Sequence, residues 1–219
     1  MEVGILGGTG PAGKGLALRL AAAGLDVRIG SRSKDRAAEI CGELLGKWPD
    51  RELALSPADN ALAAEADVVV IATPWEAAAA TAASLAPELE GKVVISMANA
   101  LTHMGKEFEP LVPPRGSVAS HVQSVVPGSQ VAAAFHHLPA KALANLGKEV
   151  ESDVLIASDH KAAYEATAAL VRLIPGLRPL NAGSLANAAP IESFTAVLLQ
   201  LNVRYKTRAA LRLTGITLE

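Results

Sequence analysis

Aromatic residues, cysteines and long apolar stretches are all scarce in this sequence. Phenylalanine, tryptophan and tyrosine together make up 3% of the 219 residues, too few to favour a surface that stacks the bases of single-stranded nucleic acid. Neither sign of charge dominates, because 20 lysines and arginines stand against 22 aspartates and glutamates. A basic face for a polyanion such as DNA is therefore not expected.

The sequence shows no pattern typical of a membrane span or a secretion leader, and it has one cysteine. The longest nearly uninterrupted apolar run near the C-terminus, FTAVLLQLNV at 194–203, is far shorter than a span requires. Met1 leads directly into an apolar strand pattern without a basic leader. Cys41 is the single cysteine, which excludes an internal disulfide and favours a reducing compartment. We predict a cytoplasmic protein without a membrane partner, in which Cys41 is a small buried residue on a helix.

Motifs for nucleophilic or metal-dependent catalysis do not occur. No G-x-S-x-G follows a strand, and neither C-x-x-C nor H-E-x-x-H is present. His136 and His137 are adjacent, and neighbours on a strand point to opposite faces, which makes joint ligation of one metal awkward. We predict one buried and one exposed histidine, no metal site and no catalytic side chain.

The first two thirds of the chain alternate strand patterns with helical patterns. This alternation with short connections indicates βαβ units and a parallel sheet. The predicted strands are EVGIL, DVRIG, a weaker ELALS, DVVVIATP and KVVISMAN. The predicted fold is α/β, a Rossmann-type, doubly wound and mostly parallel sheet with a small C-terminal strand and helix extension.

Beyond Leu101 the pattern loosens. PLVPPRG is predicted to be a proline-rich connection, and a long helical pattern covers residues 190–213. Between them we predict strands at VAAAF, VLIAS and LRPLNA and a helix at HKAAYEATAALVRLI. We divide the chain into a nucleotide-binding domain at 1–101 and an extension at 102–219 that completes the sheet within one compact unit.

The segment Gly8-Thr9-Gly10-Pro11-Ala12-Gly13 matches the G-x-G-x-x-G pattern of dinucleotide-binding proteins. It follows an N-terminal strand, opens a helix and precedes a second strand, which is the context that the pattern requires. Gly8 is expected to make the tight turn, Gly10 to let a pyrophosphate approach the backbone and Gly13 to let the helix pack on the strand. The alternative is a glycine turn without a ligand.

The end of the second strand distinguishes the two nicotinamide coenzymes. Enzymes for the non-phosphorylated coenzyme place Asp or Glu there to bind the ribose. This chain has Ser31 and Arg32, with Arg36 one helical turn later. A hydroxyl and two guanidinium groups suit a 2′-phosphate, so we predict NADP(H). The alternative is a solvated charge run that opens a helix.

Two later strand ends are expected to border the same coenzyme. Thr73 and Pro74 close the fourth strand, and Asn99 closes the fifth. Ligands of open parallel sheets lie beyond the carboxyl ends of the strands. Pro74 also suits the first turn of the following helix, and both roles are compatible.

Seven segments together resemble the NADPH-dependent coenzyme F420 reductase family. They are GILGGTGPAGKGLALRLAAAG with VRIGSR, IATPWE, AFHHLPA, GLRPLNAGSLANA, IESFT and NVRYKTRAALRLTGI. The resemblance covers nearly the whole chain. The opening segment is shared with other NADP reductases, whereas the later segments are more specific to this family. The run SMANALTHMG, after the fifth predicted strand, departs from the archaeal members of the family.

The resemblance implies hydride transfer between C4 of the nicotinamide and C5 of the deazaflavin F420. It implies that Thr9, Gly10, Pro11 and Ala12 hold the pyrophosphate and that Ser31, Arg32 and Arg36 hold the 2′-phosphate. Thr73, Asn99 and Ala140 would then lie along the nicotinamide, and His136 and Pro139 would border the deazaflavin in a pocket completed by the extension.

Several alternatives stay open at this point. His136 is either a donor to the reduced deazaflavin or a core histidine. The activity is alternatively that of an NADP-dependent imine or keto-acid reductase, or the protein senses NADP(H) without catalysis. The apolar last helix packs either on the sheet or on a second subunit, and we favour a homodimer.

Overall fold

The structure is a computed structural model that describes residues 1–217. One sheet has eight strands in the order β10-β9-β8-β5-β4-β1-β2-β3, and a separate two-stranded hairpin pairs β6 with β7. The strand bounds are β1 Glu2–Leu6, β2 Asp26–Ser31, β3 Leu55–Asp59, β4 Val68–Ile71, β5 Val93–Ser96, β6 Leu101–Met104, β7 Glu107–Pro110, β8 Gln130–Ala133, β9 Ser152–Ser158 and β10 Leu177–Asn181.

Helices cover both faces of the large sheet. Their bounds are α1 Pro11–Ala22, α2 Lys34–Lys47, α3 Asn60–Ala64, α4 Trp75–Ser84, α5 Ala86–Leu89, α6 Val118–Val125, α7 Ala140–Leu143, α8 Lys161–Arg172 and α9 Ala188–Tyr205. One apolar core lies between the sheet and α1, α2, α7 and α8, and a second lies between the sheet and α3 to α6 with α9. Successive side chains of a strand point to opposite faces of the sheet, so the central strands contribute to both cores. In β4, for example, Val68 and Val70 lie in the first core and Val69 and Ile71 lie in the second.

Six neighbouring strands, from β3 to β8, run parallel. Strand β9 then pairs antiparallel with β8, and β10 runs parallel to β9. The predicted α/β fold with a mostly parallel, doubly wound sheet is therefore confirmed. The extension adds β8 to β10 to the same sheet, while the boundary at 101/102 stays a prediction.

Residues 101–125 contain more structure than the predicted connection. The hairpin of β6 and β7 turns at Gly105, whose φ is +62°, and α6 follows the prolines. The hairpin strands are polar and short, so their sequence lacks the apolar alternation that marks a strand. Helix α6 begins at a serine cap, because the Ser117 side chain accepts a hydrogen bond from the Ser120 amide at 3.0 Å.

The long helix predicted at 190–213 is wrong in its last third, residues 206–213. Helix α9 ends at Tyr205, and Lys206 adopts a left-handed conformation with φ of +50°. The following segment leaves the helix because its partners lie on β9. The Asp153 amide donates to the Leu211 carbonyl, and the Asp153 carboxylate accepts from the Leu213 amide, both at 2.6 Å.

Asp153 anchors this C-terminal segment to the sheet. Its side chain is fully buried and forms ion pairs with Arg178 at 2.6 Å and Arg212 at 3.1 Å. Burial alone would raise the pKa of the Asp153 carboxyl, but hydrogen bonds from Arg178, Leu213 and Arg212 outweigh it and lower the pKa to about 2. The carboxylate therefore stays ionised and holds residues 211–213 beside β9 and β10.

Arg19 anchors a second segment, the loop that contains α7. It is 5% exposed, and its guanidinium donates hydrogen bonds to the carbonyls of Ala142, Leu143, Asn145 and Lys148 at 2.5–3.0 Å. Helix α1 thereby fixes the position of residues 139–148.

A smaller expectation concerns Cys41. Cys41 is a buried residue on α2, as predicted, and burial raises the pKa of its thiol to about 11. Within residues 1–217, no helix combines the length and the hydropathy that crossing a membrane demands.

Candidate functional site

A cleft of about 800 Å³ lies at the carboxyl ends of β1, β2 and β4. This is the point where the strand order reverses, and ligands of open α/β sheets bind there. Seven of the residues predicted from the sequence line it: Thr9, Gly10, Ser31, Arg32, Arg36, Thr73 and Pro74. The structure therefore brings the glycine loop, the basic strand end and the end of β4 to one surface.

The glycine loop turns one residue earlier than expected. Gly7 has a φ of +67°, so it makes the tight turn that the sequence assigned to Gly8. Gly8 instead has no room for a side chain, because a Cβ there would lie 2.9 Å from the Ile5 carbonyl oxygen. Gly13 allows α1 to pack on the loop, since its Cβ would lie 2.8 Å from the Gly8 Cα.

The N-terminus of α1 suits an anion. Gly10 caps the helix without a side-chain hydrogen bond, and Pro11 occupies the first turn. A Cβ on Gly10 would meet no protein atom closer than 3.7 Å, so a side chain would project into the space beside the helix amides. This arrangement fits a pyrophosphate held by backbone amides. Ala12 is partly buried against the core beneath the loop.

The end of β2 carries the three predicted polar groups. Ser31 is buried, and its hydroxyl accepts a hydrogen bond from the Ser33 amide at 3.2 Å. Arg32 is exposed in the cleft and forms no ion pair with a carboxylate of residues 1–217. Arg36 is exposed and contacts Glu39 at 2.5 Å. These groups fit a phosphate on the ribose.

Ser33 and Asn60 are among the residues of the cleft that sequence reasoning missed. Ser33 caps α2 by accepting from the Arg36 amide at 3.3 Å, and it lines the cleft beside Arg32. Asn60 begins α3 and accepts from the Gly7 amide at 3.2 Å, which ties the glycine loop to the far side of the cleft. The capping role of Ser33 follows from its place before a helical pattern, whereas nothing in the sequence points from Asn60 to Gly7.

A second group of predicted residues follows the next strand ends. Asn99 lies beyond β5, and its side-chain amide donates to the His136 carbonyl beyond β8 at 2.7 Å. Several buried polar atoms at these strand ends have no partner within residues 1–217. They are Thr73 Oγ1, Ser96 Oγ, Asn99 Oδ1 and both ring nitrogens of His136. Buried polar groups are nearly always satisfied, so this edge suits a polar ligand.

The prediction for the two histidines is wrong. Both are buried, His136 at 5% exposure and His137 at 4%. They lie beyond β8, and Phe135 before them has a φ of +63°, so strand alternation does not apply. The His137 ring donates to the Asp153 carbonyl at 2.8 Å. Burial, and to a smaller extent the neighbouring His137, lower the pKa of His136 to about 3, so it is uncharged at neutral pH.

Pro139 and Ala140 begin α7 and lie outside the cleft. Ala140 packs against α1, because a Cβ on Gly15 would lie 3.1 Å from the Ala140 carbonyl oxygen. Pro139 lines another cavity, of about 590 Å³, between the α7 loop and the segment after α9. Within residues 1–217, no group of three or more His, Cys, Asp or Glu side chains could hold a metal ion.

Comparison with known proteins gives consistent results. Residues 2–100 match the family model described as "NADP oxidoreductase coenzyme F420-dependent". The chain is 36% identical over 222 residues to an F420-dependent NADP reductase of Methanothermobacter thermautotrophicus, covering 99% of this chain and 96% of that one. It is 36% identical to an F420-dependent NADP reductase of Methanocaldococcus jannaschii, covering 99% of both chains.

The fold also has a close structural neighbour. A crystal structure from Arthrobacter sp. FB24, proposed to be an F420-dependent NADP reductase, superposes with a TM-score of 0.80 at 23% identity and covers 98% of this chain and 99% of that one. At that identity the likeness concerns the fold alone. The sequence relatives establish the family: this chain belongs to the F420-dependent NADP reductases.

Proposed function

We propose that this protein transfers a hydride between NADP(H) and the deazaflavin coenzyme F420. One observation carries the proposal: a single cleft at the reversal of strand order joins the uncapped N-terminus of α1 to Ser31 and Arg32, and it continues at Thr73. Relatives named F420-dependent NADP reductases, which match over nearly the whole chain, support F420 as the second coenzyme.

The adenosine half of NADP(H) fits the part of the cleft between the glycine loop and the end of β2. The amides of Ala12 and Gly13 would hold the pyrophosphate beside Thr9 and Gly10, whereas Pro11 has no N–H to donate. Arg32, Arg36 and the Ser31 hydroxyl would hold the 2′-phosphate. Asn60 contributes by fixing Gly7, so that the loop keeps its shape when the anion binds.

The nicotinamide half would then extend toward Thr73 and Asn99. Ala140, which the family resemblance adds to this half, lies at the start of α7 outside the cleft. Thr73 Oγ1 and Asn99 Oδ1 are buried without a partner among the described residues, and a carboxamide could satisfy both a donor and an acceptor there. His136 and Pro139 would border the deazaflavin. The His136 carbonyl accepts a hydrogen bond from Asn99, and Pro139 lies at the start of α7.

The two coenzymes supply the reaction, in which a hydride moves between C4 of the nicotinamide and C5 of the deazaflavin. The protein orients the rings and excludes water from the site. No catalytic side chain is assigned. With a pKa of about 3, His136 is neutral and could stabilise negative charge only as a hydrogen-bond donor. His136→Ala with unchanged deazaflavin affinity and turnover would refute that role.

The direct experiment mixes the purified protein with NADPH and oxidised F420 and follows the deazaflavin absorbance. We expect bleaching that depends on the enzyme and on NADPH. An imine or keto-acid reductase would consume NADPH only with its own carbonyl or imine substrate. A sensor would bind NADPH without consuming it. The absence of bleaching would therefore reject the proposed reaction.

We also propose that two copies form a homodimer through α9. Phe194, Val197 and Leu201 are spaced for one helix face, and they are 39%, 49% and 37% exposed. An apolar stripe of this kind suits a protein partner. Light scattering should give twice the chain mass for the wild type and a single chain mass for Val197→Asp; a monomeric wild type would reject the dimer.

A cytoplasmic location is proposed on two grounds. The buried thiol of Cys41 suits a reducing compartment, and the coenzymes NADPH and F420 are used inside cells. Fractionation of cells that express the chain should recover the activity with the cytoplasm.

A further inference from the structure

A second pocket, of about 410 Å³, has the chemistry of an anion site. Lys47, Lys141 and Arg208 line it together with Trp48, Ala144 and Asn145. These residues come from the end of α2, from α7 and from the segment after α9. Three cationic side chains therefore meet at one pocket in a chain whose formal net charge is −2.

The pocket offers hydrogen-bond donors and has no carboxylate in its wall. Within residues 1–217, none of the three cations forms an ion pair with a carboxylate closer than 4 Å. The Trp48 indole N–H is buried and has no acceptor in the same part of the chain. Like charges gathered without a counter-charge repel each other, so an anion would relieve an unfavourable arrangement.

The pocket connects to the proposed deazaflavin site. It shares Asn145 and Arg208 with the neighbouring cavity of about 590 Å³, which Pro139 also lines. Lys148, Glu149 and Glu151 line that cavity too, so the cations there are balanced by carboxylates and the excess of positive charge begins only at the pocket. A ligand whose ring lies beside Pro139 could extend a chain through the cavity and place its anionic end at Lys141 and Arg208.

We propose that this pocket, lined by Lys47, Lys141 and Arg208, binds the anionic tail of the deazaflavin coenzyme. The tail carries a phosphate and glutamate carboxylates, which suit guanidinium, ammonium and indole donors. The inference rests on the proposed function and adds to it a determinant of specificity: the protein distinguishes F420 from the same deazaflavin without the tail. The site binds by charge and takes no part in the hydride transfer.

The test compares two substrates with three proteins. The substrates are F420 and the tailless deazaflavin. The proteins are the wild type, the double variant Lys141→Gln/Arg208→Gln and the control Arg172→Gln, which removes an exposed cation on α8 that lines neither cavity. We expect the KM for F420 to rise roughly tenfold in the double variant only, with kcat and the KM values for the tailless deazaflavin and NADPH unchanged. Added salt should raise the KM for F420 in the wild type and in the control, but much less in the double variant.

Each other result has a defined meaning. If the KM values for both deazaflavins rise together, the two residues support the structure and the tail site is rejected. If neither KM changes, the tail lies elsewhere and the inference is also rejected. If the wild type reduces neither deazaflavin, the proposed function itself fails and this inference falls with it. A rise in the KM for NADPH would assign the cations to the other coenzyme.

Discussion

The most direct test of the NADP(H) site is the removal of Arg32. Its guanidinium lies in the cleft beside Ser31 and Ser33, and it has no carboxylate partner among residues 1–217. It is therefore available to a 2′-phosphate without first breaking another interaction. NADH has no such phosphate, so Arg32→Ala should weaken NADPH binding and leave NADH binding nearly unchanged.

The magnitude follows from the environment of the side chain. A hydrogen bond to a charged group contributes about 1.5–3 kcal/mol. Because Arg32 is exposed, the lower end of this range applies, and it corresponds to an increase of about tenfold in the Kd for NADPH. The same reasoning predicts that the increase shrinks at high salt, where the wild type loses part of the same interaction.

Arg36 provides an internal comparison. Its guanidinium already contacts Glu39 at 2.5 Å, so a phosphate must compete with a carboxylate for it. We expect Arg36→Ala to weaken NADPH binding less than Arg32→Ala does. Glu39→Gln should release Arg36 and tighten NADPH binding slightly, because the phosphate then no longer competes with a carboxylate and exposed pairs contribute little.

Fluorescence titration of each variant with NADPH and with NADH measures these effects. The variants are exposed on the surface, so their thermal unfolding should match that of the wild type. An Arg32→Ala protein that loses affinity for both coenzymes equally would refute the assignment of the end of β2 to the 2′-phosphate. An NADPH affinity that increases in Arg36→Ala would refute the role of Arg36.

Three further predictions concern the packing around the site and are tested by urea unfolding. Gly15→Ala should destabilise the protein by about 1–2 kcal/mol, because the new Cβ would lie 2.8 Å from the Leu143 Cβ. In Gly42→Ala, on α2, the new Cβ meets nothing within 4 Å, so this variant should be more stable than the wild type by up to about 1 kcal/mol. Arg19→Met should cost about 3 kcal/mol, because four carbonyls of the α7 loop lose their donor. Glu192 is buried where α9 meets α6, and burial raises its pKa from 4.5 to about 7. Between these two pH values the folded state binds a proton that the unfolded state has released. The free energy of unfolding of the wild type should therefore fall by up to about 3 kcal/mol as the pH rises from about 4.5 through 7. Glu192→Gln has no such carboxyl group and should lack this pH dependence.

Each of these predictions has an outcome that contradicts it. Equal effects of Gly15→Ala and Gly42→Ala would mean that α1 and α7 do not approach closely. An Arg19→Met protein within about 0.5 kcal/mol of the wild type would show that the carbonyls find other partners. An identical dependence of stability on pH in Glu192→Gln and the wild type would show that another group titrates in that range.

The sequence predicted the nucleotide-binding half well because its determinants are local. The apolar runs of β1 and β4 are buried on both faces. A short continuous apolar run of this kind indicates a central strand of a parallel sheet. Gly10 and Arg32 lie within one strand–turn–helix–strand unit, so their spacing along the chain translates directly into spacing in the cleft. The error of one residue at Gly7 concerns a backbone angle that every glycine of the loop can adopt.

The sequence by itself thus determined the sheet, the dinucleotide loop and the basic end of β2. Tertiary structure alone decided where the last helix stops, which histidines are buried and which cations share a pocket. Residues 206–213 have a helical pattern, but hydrogen bonds and ion pairs with Asp153, more than fifty residues earlier, hold them in an extended path. His136 and His137 are buried because β8 ends before them, and Lys47 meets Arg208 only through the fold. Contacts between distant parts of a chain leave no periodic trace in its sequence, so only the folded molecule reveals them.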